Sequence, residues 1–174
     1  MSGTDRSVQA VLQARARKLA VVETQLQDEP ELQLVYFELA QETYAVEAHY
    51  VVEVLPLQHL TPLPYTPDFV LGIVGVHGHI VSVIDLRSFF DLPRQGLSDL
   101  NRIVILRDGQ MKFALLTDRA VGSCSVPKQS LQTSQPHLNG VRRDYLLGIS
   151  TASWAVLDAA KLLSSPQLRV ESYV

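Results

Sequence analysis

The sequence predicts an all-β protein: two small β units built on one pattern, preceded by an N-terminal helix and carrying short helical turns. Three observations predict it. Strand-forming residues come in short runs separated by turn residues. The pattern occurs twice, as Leu34-Val-Tyr-Phe37 and Ile103-Val-Ile-Leu106, then as Val83-Ile-Asp-Leu-Arg-Ser-Phe-Phe90 and Val156-Leu-Asp-Ala-Ala-Lys-Leu-Leu163. Both octets place Asp third and two large apolar residues last. Apolar residues make up 47% of the 174 and charged residues 19%, enough to bury a core and too few charges for a disordered chain.

Residues 7–27 read as a helix. Val8, Leu12, Arg15, Leu19, Val22 and Leu26 recur at three- and four-residue steps, with Ser7 as N-cap and no Gly or Pro before Pro30. Arg15, Arg17 and Lys18 give it a basic middle, which can suit a membrane surface. The acidic Glu23, Asp28 and Glu29 that follow argue instead for docking on the protein's own body or on a partner.

After Pro30 the chain turns to strands. Leu32–Leu39 runs into a turn at Gln41-Glu42 and a return strand from Tyr44 to Val46. Pro62, Pro64 and Pro67 suit an irregular connection. The glycines at 72, 75 and 78 suit a bend before the strand Ile80–Ile84, and Asp85 caps a helical turn from Leu86 to Phe90. Arg102–Leu106 and Lys112–Leu116 form a hairpin whose Asp108-Gly109 suits positive backbone angles. Residues 127–140 read as loop. Tyr145–Gly148, Trp154–Leu157, the cap Asp158 and the helical turn Ala159–Leu163 follow, with Trp154 expected in the core or seam. The expected organisation is a helix and linker over 1–30, a two-unit β region over 31–165 with its seam near 91–101, and a tail over 166–174. Each unit, alone, is marginal in size, so the two are expected to share a buried seam.

A net charge of −3 leaves no basic surplus for phosphates, which argues against nucleic acid. A single cysteine, Cys124, fits a reducing cytosol and reads as a small apolar residue. No apolar stretch approaches the roughly 20 residues of a membrane span, and residues 1–6 lack a signal-peptide core. The expectation is a cytoplasmic protein without direct membrane insertion.

Catalytic motifs are missing. Asp85 and Asp158, one per unit, would suit a carboxylate pair sharing a proton, but Asp85-Leu-Arg and Asp158-Ala-Ala lack the tight Gly turn of that chemistry, and caps explain both. His77-Gly-His79 would need a third metal ligand from His49, His59, His137 or a carboxylate, with no spacing to support one. The glycines 72, 75 and 78 lead into a strand where a phosphate-binding helix would have to start. The expectation is therefore no enzyme, no cofactor and no metal.

The segment Gly72-Ile-Val-Gly-Val-His-Gly-His-Ile-Val-Ser-Val-Ile-Asp-Leu-Arg87 resembles the signature of the CheW family of chemotaxis coupling proteins. That signature reads Gly, two variable residues, Asn, an apolar residue and Arg-Gly, then an apolar strand with Pro ending Val-Ile-Asp-Leu-Arg. Tyr44–Leu55, which resembles the family's strand-to-helix segment with Glu53, Ala114–Asp118 and Tyr145–Gly148 also fit, so that the similarity covers about residues 32–165. The resemblance implies two SH3-like five-stranded barrels around a shared core. It implies a scaffold that bridges chemoreceptor cytoplasmic tips and the regulatory domain of a CheA-type histidine kinase, recruited to membrane-associated receptor arrays. Three positions depart from the signature: Gly75 stands for the Asn, His77 for the Arg and Ser82 for the Pro. Histidine in place of a permanently charged fork makes any contact with Glu53 weaker and pH-sensitive. The expected partner groove holds Val51, Glu53, Val54, His77, Gly78 and Ile80, with Leu115 and Leu147 of the second half adding to it or to a kinase contact. An auxiliary scaffold that organises arrays, or serves another two-component pathway, through the N-terminal helix is the alternative.

Overall fold

A computed structural model describes residues 4–27, 29–133 and 140–169. The chain divides into two compact units, Met1–Glu31 and Leu32–Val174. The first holds one helix, α1 (Thr4–Gln27). It starts before Ser7, which lies inside it and is not the cap, because Thr4, Asp5 and Arg6 contain no helix breaker. Residues 7–18 are exposed.

In the second unit, β1 (Glu31–Leu39) and β2 (Glu42–Glu47) form a hairpin in which Leu39 pairs with Glu42. Its turn is Ala40-Gln41, one residue earlier than the sequence suggests, with φ of 52° and 66°. Two consecutive positive φ values are what a two-residue turn needs to match strand twist. A single-turn 3-10 helix (Ala48–Tyr50) follows β2 within the segment that resembles the family's strand-to-helix stretch, and leads into β3 (Val51–Pro56). Next come β4 (Val70–Val76), β5 (His79–Ile84) and α2 (Leu86–Phe89), then β6 (Arg102–Arg107), β7 (Lys112–Thr117) and β8 (Arg119–Pro127). The chain ends on α3 (Val141–Asp144), β9 (Leu146–Ile149), β10 (Ala155–Leu157) and α4 (Ala159–Ser164). Strand β8 is absent from the sequence reading because Gly122, Ser123 and Ser125 dilute its apolar alternation. The stretch read as loop from Pro127 contains a 3-10 turn (Lys128–Ser130) and a bridge at Gln132; residues 134–139 of it lie outside the described residues.

The strands form two five-stranded sheets, β8-β1-β2-β10-β9 and β3-β6-β7-β5-β4. Each closes on itself in the same way. After β3 the chain continues to Thr61, which bridges Ile73 of β4; after β8 it continues to Gln132, which bridges Ile149 of β9. Gly72 and Gly148 stand one residue before those bridges. A Cβ at Gly72 would sit 2.3 Å from the Thr61 carbonyl oxygen, and one at Gly148 3.0 Å from that of Gln132. Gly72 thus permits close backbone approach at a register shift in β4, and Gly78, with φ of 80°, serves the turn between β4 and β5. Gly75 lies mid-strand in regular pairing with Ile80 and meets no such constraint.

The pattern repeat is real, but the two sheets are not the two sequence halves. Each half supplies a hairpin, an edge strand and a second hairpin ending in a capped helix. The first hairpin of one half pairs with the rest of the other: Val156 of β10 pairs in parallel with Ala45 of β2, and Val83 of β5 with Ala114 of β7. The segment 91–101 thus joins the two sequence repeats, while both flanking strands, β5 and β6, belong to one sheet.

This exchange produces the shared core. Phe37, Tyr44 and Val46 of one sheet pack in one cluster with Ile84, Leu106, Phe113 and Leu115 of the other and with Leu86, Leu162 and Leu163 of the helices. Each barrel keeps a smaller core of its own, around Val81, Ile105 and Leu116 in one and Leu34, Ala45 and Val156 in the other. Leu168 is fully buried in the shared cluster, so the tail beginning at 166 is in part a core segment. Trp154 precedes β10 and is half-buried, its ring stacked on Tyr36 at 4.6 Å; it sits at the edge of the fold and not in the core.

Asp85 and Asp158 are both helix caps, accepting hydrogen bonds from the Arg87 and Lys161 amides. Asp108 builds its turn differently from the Asp-Gly expectation. The loop has four residues between Arg107 and Lys112, its Oδ1 accepts from the Gln110 and Met111 amides, and Gly109 is not among the positive-φ glycines. A loop of that length is built on the side-chain bonds of Asp and has no need of Gly's extra freedom.

Candidate functional site

The surface that gathers most of the predicted residues lies where β3 meets the tip of the β4–β5 hairpin. Strand β3 alternates strictly: Val51, Glu53 and Leu55 are half-buried, while Val52, Val54 and Pro56 face solvent. Alternation follows from the two-residue period of a strand. Across the closing edge, β4 and β5 are joined by His77-Gly78, with φ of 48° and 80°. The first of these is rare for a side-chain-bearing residue; the two-residue turn imposes it.

The imidazole of His77 reaches back over β3, its Nε2 3.1 Å from Oε2 of Glu53. The contact is asymmetric in exposure, 73% for His77 and 26% for Glu53. It ties the hairpin tip to the edge strand. Ile80, 76% exposed, stands opposite Gly75 on the hairpin, so no side chain covers its flank from that position. Val52 at 48% and Val54 at 37% add apolar surface on β3. One polar contact thus sits between two exposed apolar stretches, a composition suited to binding another protein.

Of the predicted groove residues, Glu53, Val54, His77, Gly78 and Ile80 meet here. Val51 turns inward and packs against the shared core. Leu115 is fully buried at the centre of its sheet, paired with Val104 and Ile84, and cannot touch a partner. Its run, Phe113 to Leu116, is apolar without alternation because the shared core covers one face of the sheet and the barrel's own core the other. Leu147 belongs to the other sheet and lines a separate groove with Leu32, Glu47, Lys128, Leu131 and Thr133. Val52 is the residue that the sequence reading missed. Strand alternation across 51–56 would have marked it.

The buried charges lie elsewhere and serve the fold: Arg87 donates to both carboxylate oxygens of Asp85 and to Oδ1 of Asp118. Among the described residues no three His, Cys, Asp or Glu side chains converge on a metal-sized site. Burial pushes the Cys124 thiol up, away from the reactive thiolate. No helix among the described residues is long and apolar enough to cross a membrane.

Comparison with known proteins bears on the family and the fold. The family model for the CheW-like domain matches residues 33–167. The chain is 29% identical to the chemotaxis protein CheW of Treponema pallidum, over 82% of this chain and 88% of that protein. It is 30% identical to the chemotaxis protein CheW of Klebsiella aerogenes, over 78% of this chain and 84% of that one. Protein FrzA of Myxococcus xanthus is 28% identical over 82% of this chain and 92% of its own length. Among solved structures, the scaffolding protein TtCheW from Thermoanaerobacter tengcongensis superposes with a TM-score of 0.70 at 26% identity, covering 79% of this chain and 91% of that one.

Proposed function

The chain belongs to the CheW-like family, and from that premise we propose that it is a non-catalytic adaptor linking chemoreceptor cytoplasmic tips to the regulatory domain of a CheA-type histidine kinase in chemotaxis signalling. The observation that carries this reading is the exposed apolar edge of Val52, Val54 and Ile80 around the Glu53–His77 contact. Burial of each of these aliphatic side chains contributes up to about 1.5–3 kcal/mol to association, before the cost of bringing two molecules together. The polar contact fixes how the edge strand and the hairpin tip stand relative to each other, so it sets the shape that a partner meets. The groove beside Leu147 offers a second contact on the other sheet, which suits a protein that must hold two partners at once. Such an adaptor works in the cytoplasm and reaches membrane-associated arrays through the receptors it binds.

Histidine is the side chain whose charge ordinarily changes near neutrality. The contact at 3.1 Å joins the His77 imidazole to the Glu53 carboxylate. The test is calorimetric titration of the full chain with the regulatory domain of its cognate CheA-type kinase and, separately, with receptor-tip fragments, at about pH 6 and about pH 8. Micromolar binding to both is expected, with a pH dependence that disappears in His77→Arg. Glu53→Lys should weaken binding at this surface about tenfold or more, near 1.4 kcal/mol, with an unchanged melting temperature. Absence of binding to either partner at both pH values would sink the adaptor reading. The auxiliary-scaffold alternative gains support from the exposed positions of α1. Under the adaptor reading, removal of residues 1–30 leaves kinase binding intact.

A further inference from the structure

We propose that a cavity between β5, the β6–β7 hairpin and the segment that follows α4 binds a small soluble phosphate monoester, with Lys112 and Arg169 holding the phosphate. The cavity measures about 350 Å3, within the range of small-molecule sites. Its floor is Phe113 and Leu168, both buried, with half-buried Met111 as further apolar lining. Its polar lining is Ser82, Gln110, Lys112 and Arg169, and no carboxylate lines it. The fold holds each of these groups in place. Lys112 opens β7 and pairs with Arg107 across the hairpin. Gln110 is fixed by the bonds of its own amide and of the Met111 amide to Oδ1 of Asp108. Arg169 follows the fully buried Leu168, whose amide donates to the Ser165 carbonyl at 3.3 Å. Ser82 stands one residue before the parallel pair of Val83 with Ala114, level with Phe113.

Charge and size together select the ligand. Neither Lys112 nor Arg169 is in an ion pair among the described residues. Arg107 adds a third cation on the hairpin, and the one carboxylate there, Asp108, is already engaged by two amides. A chain with net charge −3 thus carries a local excess of positive charge around one recess. A phosphate monoester brings about −1.5 to −2 charges near neutrality, enough to answer both lining cations. A guanidinium fork matches two phosphate oxygens, and an ammonium adds a point charge. The Ser82 hydroxyl and the Gln110 amide are donors for the remaining oxygens. A single carboxylate would leave one cation unanswered. A nucleic acid would need a row of cations along its backbone, and here two line a single recess. The cavity is larger than phosphate alone, and the Met111 thioether offers adaptable apolar surface to the body of an ester. Ser82 is one of the three departures from the family signature, and the proline it replaces has no hydroxyl to donate. This inference does not depend on the adaptor reading, and its test uses neither kinase nor receptor.

The experiment is calorimetric titration of the full chain with phenyl phosphate and with inorganic phosphate, alongside thermal melting with and without each probe. Saturable one-to-one binding is expected, tighter for phenyl phosphate, with a rise in melting temperature because the ligand binds only the folded chain. Lys112→Gln and Arg169→Gln should each weaken binding about tenfold, since each removes a charge-assisted contact. Both should melt at the wild-type temperature when no ligand is present. Arg169→Lys should recover part of the loss, and Ser82→Ala should weaken binding less than either glutamine variant. No binding of either probe, or binding indifferent to both glutamine variants, would overturn the proposal. So would an Asp-Glu peptide that binds where the phosphate probes do not, which would assign the cavity to an acidic protein segment. Capture by vesicles of phosphatidic acid and phosphatidylcholine, lost in Arg169→Gln, would assign the phosphate to a lipid headgroup and overturn the soluble ligand. Probe binding seen only in a chain shortened to end at Arg169 would assign the two cations to Glu171 of the chain's own tail and overturn it as well.

Discussion

Arg87, 3% exposed, lies between Asp85, equally buried, and Asp118. Burial disfavours its charge, but hydrogen bonds and attraction from Asp85 and the further charge of Asp118 outweigh that and raise the guanidinium above its ordinary range. Asp118 in turn accepts from the Ala40 amide at 2.7 Å, and Arg87 donates to the Gln95 carbonyl. One side chain therefore connects α2, the end of β7, the β1–β2 turn and the inter-repeat segment. Arg87→Leu should cost about 3–5 kcal/mol, because it leaves carboxylates buried without a counter-charge; chemical denaturation measures it. The equivalent position in the second octet is Ala160, so Asp158→Ala should cost only the cap, about 1 kcal/mol. Gly72→Ala should destabilise by about 2 kcal/mol or more, since its Cβ would collide with the backbone at Thr61 and φ is 150°. Gly75→Ala should stay within about 0.5 kcal/mol.

At the scale of elements, the β6–β7 hairpin shows how one side chain sets a loop. Hydrogen bonds from the Gln110 and Met111 amides hold the Asp108 carboxyl below the usual carboxylate range. A folded pKa below the unfolded one means stabilisation that is present above the unfolded value and lost as pH falls through the folded value. Asp108→Asn keeps an acceptor and removes the charge. The stability gap between wild type and this variant should therefore be constant across neutral pH and close in acid, as denaturation at a series of pH values would show. The β3 edge and the β4–β5 tip make the opposite kind of element, one whose apolar residues face out. Their alternation was legible residue by residue from 51 to 56, yet the site became visible only when His77 and Glu53, distant in sequence, met at 3.1 Å.

At the scale of the molecule, the two repeats exchange parts. Neither sheet can be completed by one repeat: β10 needs β2, and β5 needs β7. Cleavage within the exposed stretch at residues 93–100 should therefore leave both fragments associated, with native spectra, until denaturant separates them together. Size-exclusion chromatography of the nicked protein under native and denaturing conditions checks this. Fragments that part under native conditions would contradict the exchanged pairing.

Local chemistry made much of this readable from sequence. The caps at Asp85 and Asp158, the strand runs, the helix and the repeat all depend on neighbours within a few residues, where propensity and hydrogen-bonding partners act directly. A repeated Leu-Gly-Ile, at 71–73 and 147–149, could also have located the two barrel closures. Tertiary structure alone decided which half completes which barrel, that Glu53 and His77 meet, and that Leu115, in a run without alternation, is core. Those outcomes depend on contacts between residues far apart in the chain. A buried strand covered on both faces carries no alternation to tell them apart, so only the packed fold distinguishes its sides.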